Sequence, residues 1–240
     1  MQTITITGGH PLQGSIQPAA AKNSTLPLLA ATLLCGAPCR LPDVPPLADV
    51  DTSLALLQAV GAHAVRVGAD ICTAPADALC GEIPEHLAGA MRSSVFYLAP
   101  LLCRAGAVRL PLPGGCRLGP RPVDIHLAGL AAMGAEVEFE GVAVTLRRRA
   151  PLHGADFTLR LPSVGATLTL LMAACCAQGQ TVLRGAAREP EIGDMIAFLR
   201  ACGADISGDG TPVLTIHGGR PLDGAVHRPL PDRIAAATYA

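Results

Sequence analysis

The arrangement of apolar and polar positions repeats three times along the chain. Helical apolar patterns end at Gly61-Ala62, Gly134-Ala135 and Gly203-Ala204, spaced 73 and 69 residues apart. The stretches that lead to them read DTSLALLQAVGA, DIHLAGLAAMGA and DMIAFLRACGA. Each opens with an aspartate (Asp51, Asp124, Asp194), whose side chain suits a helix N-cap. Each closes with a glycine, which suits the left-handed cap at a helix C-terminus. Upstream of each lies a second, more apolar helical stretch: NSTLPLLAATLLCG, RSSVFYLAPLLCRAG and SVGATLTLLMAACCAQG. Short strand-like segments (PCRL, AVRL, TVLR) follow these, and further strand pairs such as HAVRV with ICTA and EVEF with VAVTLRR come after the second helix. The pattern predicts a unit of strand, helix, strand, helix, strand, strand. Three such units give an α/β (α+β) fold of mixed sheets, packed around a pseudo-threefold axis with the helices inside.

The units differ in one respect. From the strand ends at Leu41, Leu110 and Arg184 to the following aspartate there are 10, 14 and 10 residues. The middle unit alone carries four extra residues, and its longer loop contains Cys116. The other two units meet the scaffold's needs without them, and an insertion on one copy of a repeated scaffold is where function concentrates. From Pro111 to His126 the chain reads PLPGGCRLGPRPVDIH. Its prolines keep it out of helix and central strand. Arg117 and Arg121 bring positive charge near the thiol, a setting that lowers a thiol pKa and attracts anions. The stretch reads as a loop that holds a reactive acid or nucleophile over an anionic substrate. The alternative is a surface loop that happens to hold a cysteine.

The starts of the three apolar helices carry a related signal. Lys22-Asn23-Ser24, Arg92-Ser93-Ser94 and Arg160-Leu161-Pro162-Ser163 occupy matching places. A cation at a helix N-terminus opposes the macrodipole by roughly 0.3–1 kcal/mol. A bound anion reverses that sign, because the free N–H groups and the cation both attract it. The matching places predict that the three starts converge on one face. Lys22 is the one lysine beside 17 arginines. A coding bias toward arginine and a local need for a compact ammonium both fit that count.

Composition narrows the class. Half of the 240 residues are hydrophobic but only 2% are aromatic, so the core is expected to consist of Ala, Leu, Val and Ile. The net charge of -1, with no basic block, argues against a nucleic-acid partner. The opening MQTITITGGH lacks the pattern of a signal peptide, and the longest nearly apolar run, Val164 to Ala177, is shorter than the ~18 residues of a membrane helix. A cytoplasmic protein with no membrane partner is expected. The nine cysteines lie at no spacing that by itself reads as a metal site. Cys35, Cys103, Cys175, Cys176 and Cys202 read as reduced core residues, and Cys35 and Cys39, flanking Gly36 and Pro38, suit a helix end rather than a zinc site. Neither metal nor cofactor is expected.

Taken together, these segments resemble the enolpyruvyl transferases, in particular the branch that acts on UDP-N-acetylglucosamine. The matching pieces are AAAKNSTLPLLAATLL, LPDVPPLADVDTSLALLQAVGA, AMRSSVFYLAPLL, LPGGCRLGPRPVDIHLAGLAAMGAEVEF, SVGATLTLLMAA, AAREPEIGDMIAFLRACGA and LPDRI, which run along nearly the whole chain. The segment GGCRLGPRPVDIH is the most specific, since the sister branch acting on shikimate 3-phosphate has no such cysteine loop. The resemblance implies an inside-out α/β barrel. It also implies transfer of the enolpyruvyl group of phosphoenolpyruvate to the 3-hydroxyl of UDP-N-acetylglucosamine without metal, the first committed step of peptidoglycan synthesis. It assigns Cys116 as the acid that protonates the methylene carbon. Lys22, Asn23 and Arg121 are implied phosphoenolpyruvate contacts. Arg92, the run Arg121, Pro122, Val123, Asp124 and Ile125, and Ser163 with Val164 are implied nucleotide-sugar contacts, with His126 beside the uracil. Leu161 stands where the family pattern has a lysine.

The same resemblance divides the chain. Residues 22–220 are expected to form the three-unit domain with the cysteine loop, while 1–21 and 221–240 belong to an incomplete second domain. The chain is then expected to need that missing C-terminal domain, or a complementary chain, for turnover. The alternative reading is a non-catalytic fragment that acts by weak nucleotide-sugar binding or by domain association.

Overall fold

A computed structural model describes residues 3, 5, 7–9, 13–111 and 123–239. The first unit contains α1 (Lys22–Ala31), a 3₁₀ turn at Thr32–Leu34, β1 (Cys39–Leu41), α2 (Ala48–Ala59), β2 (His63–Val67) and β3 (Asp70–Ala74). The second contains α3 (Glu85–Ala90), a 3₁₀ turn at Arg92–Tyr97, α4 (Leu98–Ala105), β4 (Ala107–Pro111), α5 (Asp124–Ala132), β5 (Glu136–Glu140) and β6 (Ala143–Arg147). The third contains β7 (Asp156–Thr158), α6 (Val164–Cys176), β8 (Gly179–Arg184), α7 (Pro190–Ala201), β9 (Asp205–Ser207) and β10 (Val213–Gly218); α8 (Arg233–Tyr239) follows.

Each unit builds its own sheet, with orders β1-β3-β2, β4-β6-β5 and β7-β8-β10-β9. The hairpins are antiparallel, while β7 runs parallel to β8. Register is equivalent in all three: Leu41 pairs with Ile71, Leu110 with Val144 and Leu183 with Leu214, and all six side chains are buried. The third equivalent position is therefore Leu183, one residue before Arg184. The strand faces alternate between buried and exposed, as expected where one face of a sheet packs on helices. Between the strand and the second helix of each unit lie residues 42–47, 112–123 and 185–189, so the middle interval is the longest in sequence.

The sequence explains which helices lie innermost. Every residue of α1 from Ser24 to Ala31 and of α6 from Ala166 to Cys175 is buried. A helix apolar on all sides is stable only when covered on all sides. Accordingly α1 contacts α2, α7 and the 92–97 turn, while α6 contacts α4, α5 and α7. Tyr97 is fully buried and closes this centre; its hydroxyl lies 2.6 Å from Ser53 Oγ.

The three helix ends are alike in detail. Gly61, Gly134 and Gly203 have φ of 94°, 99° and 100°. The next amides, of Ala62, Ala135 and Ala204, bond back to Leu57, Leu130 and Leu199 at 2.9, 3.0 and 2.9 Å. This is the double-bonded C-terminal cap that glycine permits.

The helix starts differ from expectation. None of Asp51, Asp124 and Asp194 is an N-cap: the caps are Leu47, Val123 and Glu189, without side-chain cap bonds. Helix α2 begins a turn earlier, directly after Pro45-Pro46-Leu47. Helix α7 begins at Pro190, whose missing N–H is no loss at a first helical position. Asp124 is the first residue of α5. Asp194, inside α7, is buried and accepts from Ser24 Oγ, from His227 Nε2 at 2.8 Å and from the Leu230 amide at 3.2 Å.

That network fastens a strap, residues 222–232, beside the first unit. The Gly36 amide donates to Leu222 at 2.7 Å, Arg40 to Ala225 at 3.0 Å, His227 to Arg40 at 2.9 Å and Ala21 to Leu230 at 2.7 Å. Bridges of Cys35 with Leu222 and of Arg40 with Val226 are parallel. The strap thus takes the place beside β1 that β7 takes beside β8.

Candidate functional site

The starts of α1, the 92–97 turn and α6 meet around one cavity of about 690 Å³. Lys22 and Asn23 line it from the first unit, Arg92, Ser93 and Phe96 from the second, and Ser163, Val164 and Gly165 from the third. Val123 and His126 of the α5 region line it as well. The convergence expected from the matching helix starts is therefore present. The backbone reason is the pseudo-threefold packing: three central helices that start alike present their N-termini to the same end of the barrel. At α6 the Ser163 hydroxyl accepts from the Ala166 amide at 3.3 Å, which leaves the amides of Val164 and Gly165 directed toward the helix entrance.

One expected member is elsewhere. Arg160 does not line the cavity; it bonds to Asp124 Oδ2 at 2.5 Å on the surface. Asp124 is therefore occupied by that pair, and it too is not part of the lining. Ile125 is buried in the core instead. Leu161 is exposed and lies outside the cavity. Cys116, Arg117, Arg121 and Pro122 lie outside the described residues.

Several lining residues were not singled out from the sequence. Asp49 pairs with Lys22 at 2.9 Å. Glu191 is buried and faces Arg233, its carboxylate 3.3 Å from the guanidinium. Glu189 completes the acidic lining, beside Ser93 of the second helix start. The buried Ser93 Oγ has no hydrogen-bond partner among the described residues, so a ligand hydroxyl or oxygen would satisfy it. Among the described lining residues the cations Lys22, Arg92 and Arg233 are matched by Asp49, Glu189 and Glu191. The only hint of these partners in the sequence was their presence in the segments ADVD, REPEIGD and LPDRI.

His126 carries the clearest electrostatic signature. Burial, then the nearby Arg92 cation, push its pKa down to about 4, with Asp124 acting weakly the other way. It is therefore neutral near pH 7. Its Nδ1 lies 2.9 Å from Thr169 Oγ1, which fixes the ring plane. A Cβ at Gly165 would lie 3.1 Å from His126 Cε1, so glycine there lets α6 approach the ring.

Taken as chemistry, the site offers helix N–H groups, three cations offset by three carboxylates and a neutral imidazole around one open cavity. The helix N–H groups together with Lys22 and Arg92 suit an anion held at several points. The comparison with protein families agrees. The model of EPSP synthase (3-phosphoshikimate 1-carboxyvinyltransferase) matches residues 6–240. The chain belongs to this family. Curated relatives refine the position within it. A UDP-N-acetylglucosamine 1-carboxyvinyltransferase of Acidiphilium cryptum (strain JF-5) is 48% identical over 240 residues, all of this chain and 57% of the relative. One of Oleidesulfovibrio alaskensis (strain ATCC BAA-1058 / DSM 17464 / G20) is 45% identical, again over 57% of its length. Among solved structures, the enolpyruvyl transferase NikO from Streptomyces tendae superposes with a TM-score of 0.84 at 24% identity, covering 97% of this chain and 55% of that one. EPSP synthase from Acinetobacter baumannii superposes with a TM-score of 0.73 at 18% identity, over 94% and 52%. These two establish the enolpyruvyl-transferase fold. The chain thus spans a little over half the length of the relatives it matches. No helix among the described residues is long and apolar enough to cross a membrane.

Proposed function

We propose that this chain forms the cysteine-loop half of an enzyme that moves the enolpyruvyl group of phosphoenolpyruvate onto the 3-hydroxyl of UDP-N-acetylglucosamine, a step of peptidoglycan synthesis in the cytoplasm. The observation that carries the reading is the meeting of three helix starts, with Lys22 and Arg92, on one cavity. The name shared by the relatives supplies the two substrates.

In this reading the sugar hydroxyl adds to C2 of phosphoenolpyruvate while the Cys116 thiol gives its proton to C3. The product is a tetrahedral phosphate ketal. A proton then leaves C3, the C2–O bond to phosphate breaks, and the enol ether forms with release of inorganic phosphate. Lys22, Asn23 and Arg121 hold phosphoenolpyruvate; the ammonium of Lys22 offsets the charge of the departing phosphate. Arg92, Pro122, Val123, Asp124, Ile125, Ser163 and Val164 form the nucleotide-sugar side together with Arg121. Ile125 is buried and Asp124 pairs with Arg160, so in this reading those two act through the backbone or by positioning. Residues 22–220 hold the three units of this half, the strap at 222–232 packs on the first of them, and the segments 1–21 and 221–240 lead on to a second domain that supplies the base for the sugar hydroxyl.

Two measurements test the reading. A phosphonate epoxide, an analogue of phosphoenolpyruvate, is expected to alkylate Cys116 ahead of the other eight thiols, as read by peptide mass spectrometry. The chain alone is expected to release negligible phosphate from the two substrates. Adding the uncovered part of the Acidiphilium cryptum relative is expected to restore release. Even labelling of all cysteines, together with no turnover after complementation, would sink the proposal in favour of a non-catalytic fragment.

A further inference from the structure

Three thiols that the sequence keeps far apart meet in the core. Cys35 ends the 3₁₀ turn after α1, Cys39 begins β1 and Cys202 ends α7. All three are buried, and their sulfurs lie within 4.8 Å of one another, with Cys35 and Cys202 at 3.7 Å. Among the described residues no other three metal-ligating side chains converge in this way. None of the three lines the substrate cavity, so the enolpyruvyl reading gives them no task.

We propose that Cys35, Cys39 and Cys202 form a three-thiolate site for a soft divalent cation of the zinc and cadmium class, which ties the first unit to the third. The geometry suits such an ion. A metal–sulfur bond of about 2.3 Å in a tetrahedral arrangement places two sulfurs about 3.8 Å apart. The Cys35–Cys202 separation already matches, and Cys39 needs to move by an ångström at most. The spacing Cys35-Gly-Ala-Pro-Cys39 lies within the range that holds two ligands on one loop. The strap passes directly over the cluster: the Asp223 amide bonds to the Cys202 carbonyl at 2.8 Å. On binding, each of the three thiols gives its proton to solvent and its sulfur lone pair to the ion, leaving one net negative charge on the complex. The fourth position takes water or an exogenous ligand. Soft thiolates and near-complete burial select against calcium and magnesium.

The test uses the reduced, chelator-treated 240-residue chain titrated with cadmium, following the ultraviolet band of thiolate-to-metal charge transfer. One equivalent is expected to bind and to raise the melting temperature. Cys39→Ser and Cys202→Ser are each expected to weaken binding at least tenfold, while Cys176→Ser and Cys80→Ser leave it unchanged. Absence of saturable binding overturns the proposal, and so does binding that survives in the first two variants or vanishes in the last two. Because a core variant can fail to fold, X-ray absorption on the unsubstituted chain provides a second arm. Three sulfur neighbours around cadmium are expected; two or fewer overturn the site.

Discussion

Lys22 Nζ lies 2.9 Å from Asp49 Oδ2 on the wall of the cavity, and both side chains are partly exposed, at 48% and 36%. An exposed pair of this kind contributes little to stability, about 0–1 kcal/mol. Its place suits binding better than folding. The Lys22→Ala variant is expected to keep its unfolding free energy within about 1 kcal/mol. Its affinity for phosphoenolpyruvate is expected to fall at least tenfold, about 1.4 kcal/mol. Lys22→Arg should restore little, because a planar guanidinium cannot occupy the ammonium's compact place. Calorimetric titration checks both, and full rescue by arginine would point to coding bias for the lone lysine.

His126 makes stability depend on acidity. Its folded pKa of about 4 lies below the ordinary value of 6.5. Between those values the unfolded chain binds a proton that the folded one refuses, so stability rises with pH. The contribution is complete above about pH 6.5 and is lost as pH falls toward about 4, on the order of 3 kcal/mol in all. Urea unfolding from pH 7 to 4 should show this slope, and His126→Gln should flatten it. An unchanged slope in the variant would place the acid sensitivity elsewhere.

Asp194 joins α1, α7 and the strap through Ser24, His227 and the Leu230 amide. Asp194→Ala leaves these donors without an acceptor, a loss of about 3 kcal/mol. Hydrogen exchange is expected to quicken first at the amides of Asp223, His227 and Leu230, ahead of those in β8 and β10. Uniform acceleration across the chain would show that the aspartate supports the whole core and not the strap in particular.

Gly203 has φ of 100°, and a Cβ built on it meets nothing within 4 Å. A Gly203→Ala change therefore isolates backbone strain from crowding. It is expected to cost about 1–2 kcal/mol in chemical unfolding. Gly134→Ala should cost more, since its Cβ would lie 3.1 Å from His153 Nε2. Equal losses at the two positions would mean that His153 gives way freely.

The threefold pattern was legible because it rests on local rules. Glycine at the ends of α2, α5 and α7, the predominantly apolar α1 and α6, and the alternating hairpins follow from backbone sterics and burial periodicity within a few residues. The helix starts with Lys22 and Arg92 could be aligned for the same reason. Where a side chain had a distant choice of partner, the sequence was silent or misleading. Asp51, Asp124 and Asp194 have the composition of caps, yet Arg160 recruits Asp124 and the buried network recruits Asp194. Asp49 beside Lys22, Glu191 beside Arg233, and Cys202 beside Cys35 are pairings across units, separated by many residues of chain. Such contacts depend on how three separately formed units close on one another, and hydrophobic packing between whole helices, which carries no address for a particular polar residue, decides that closure.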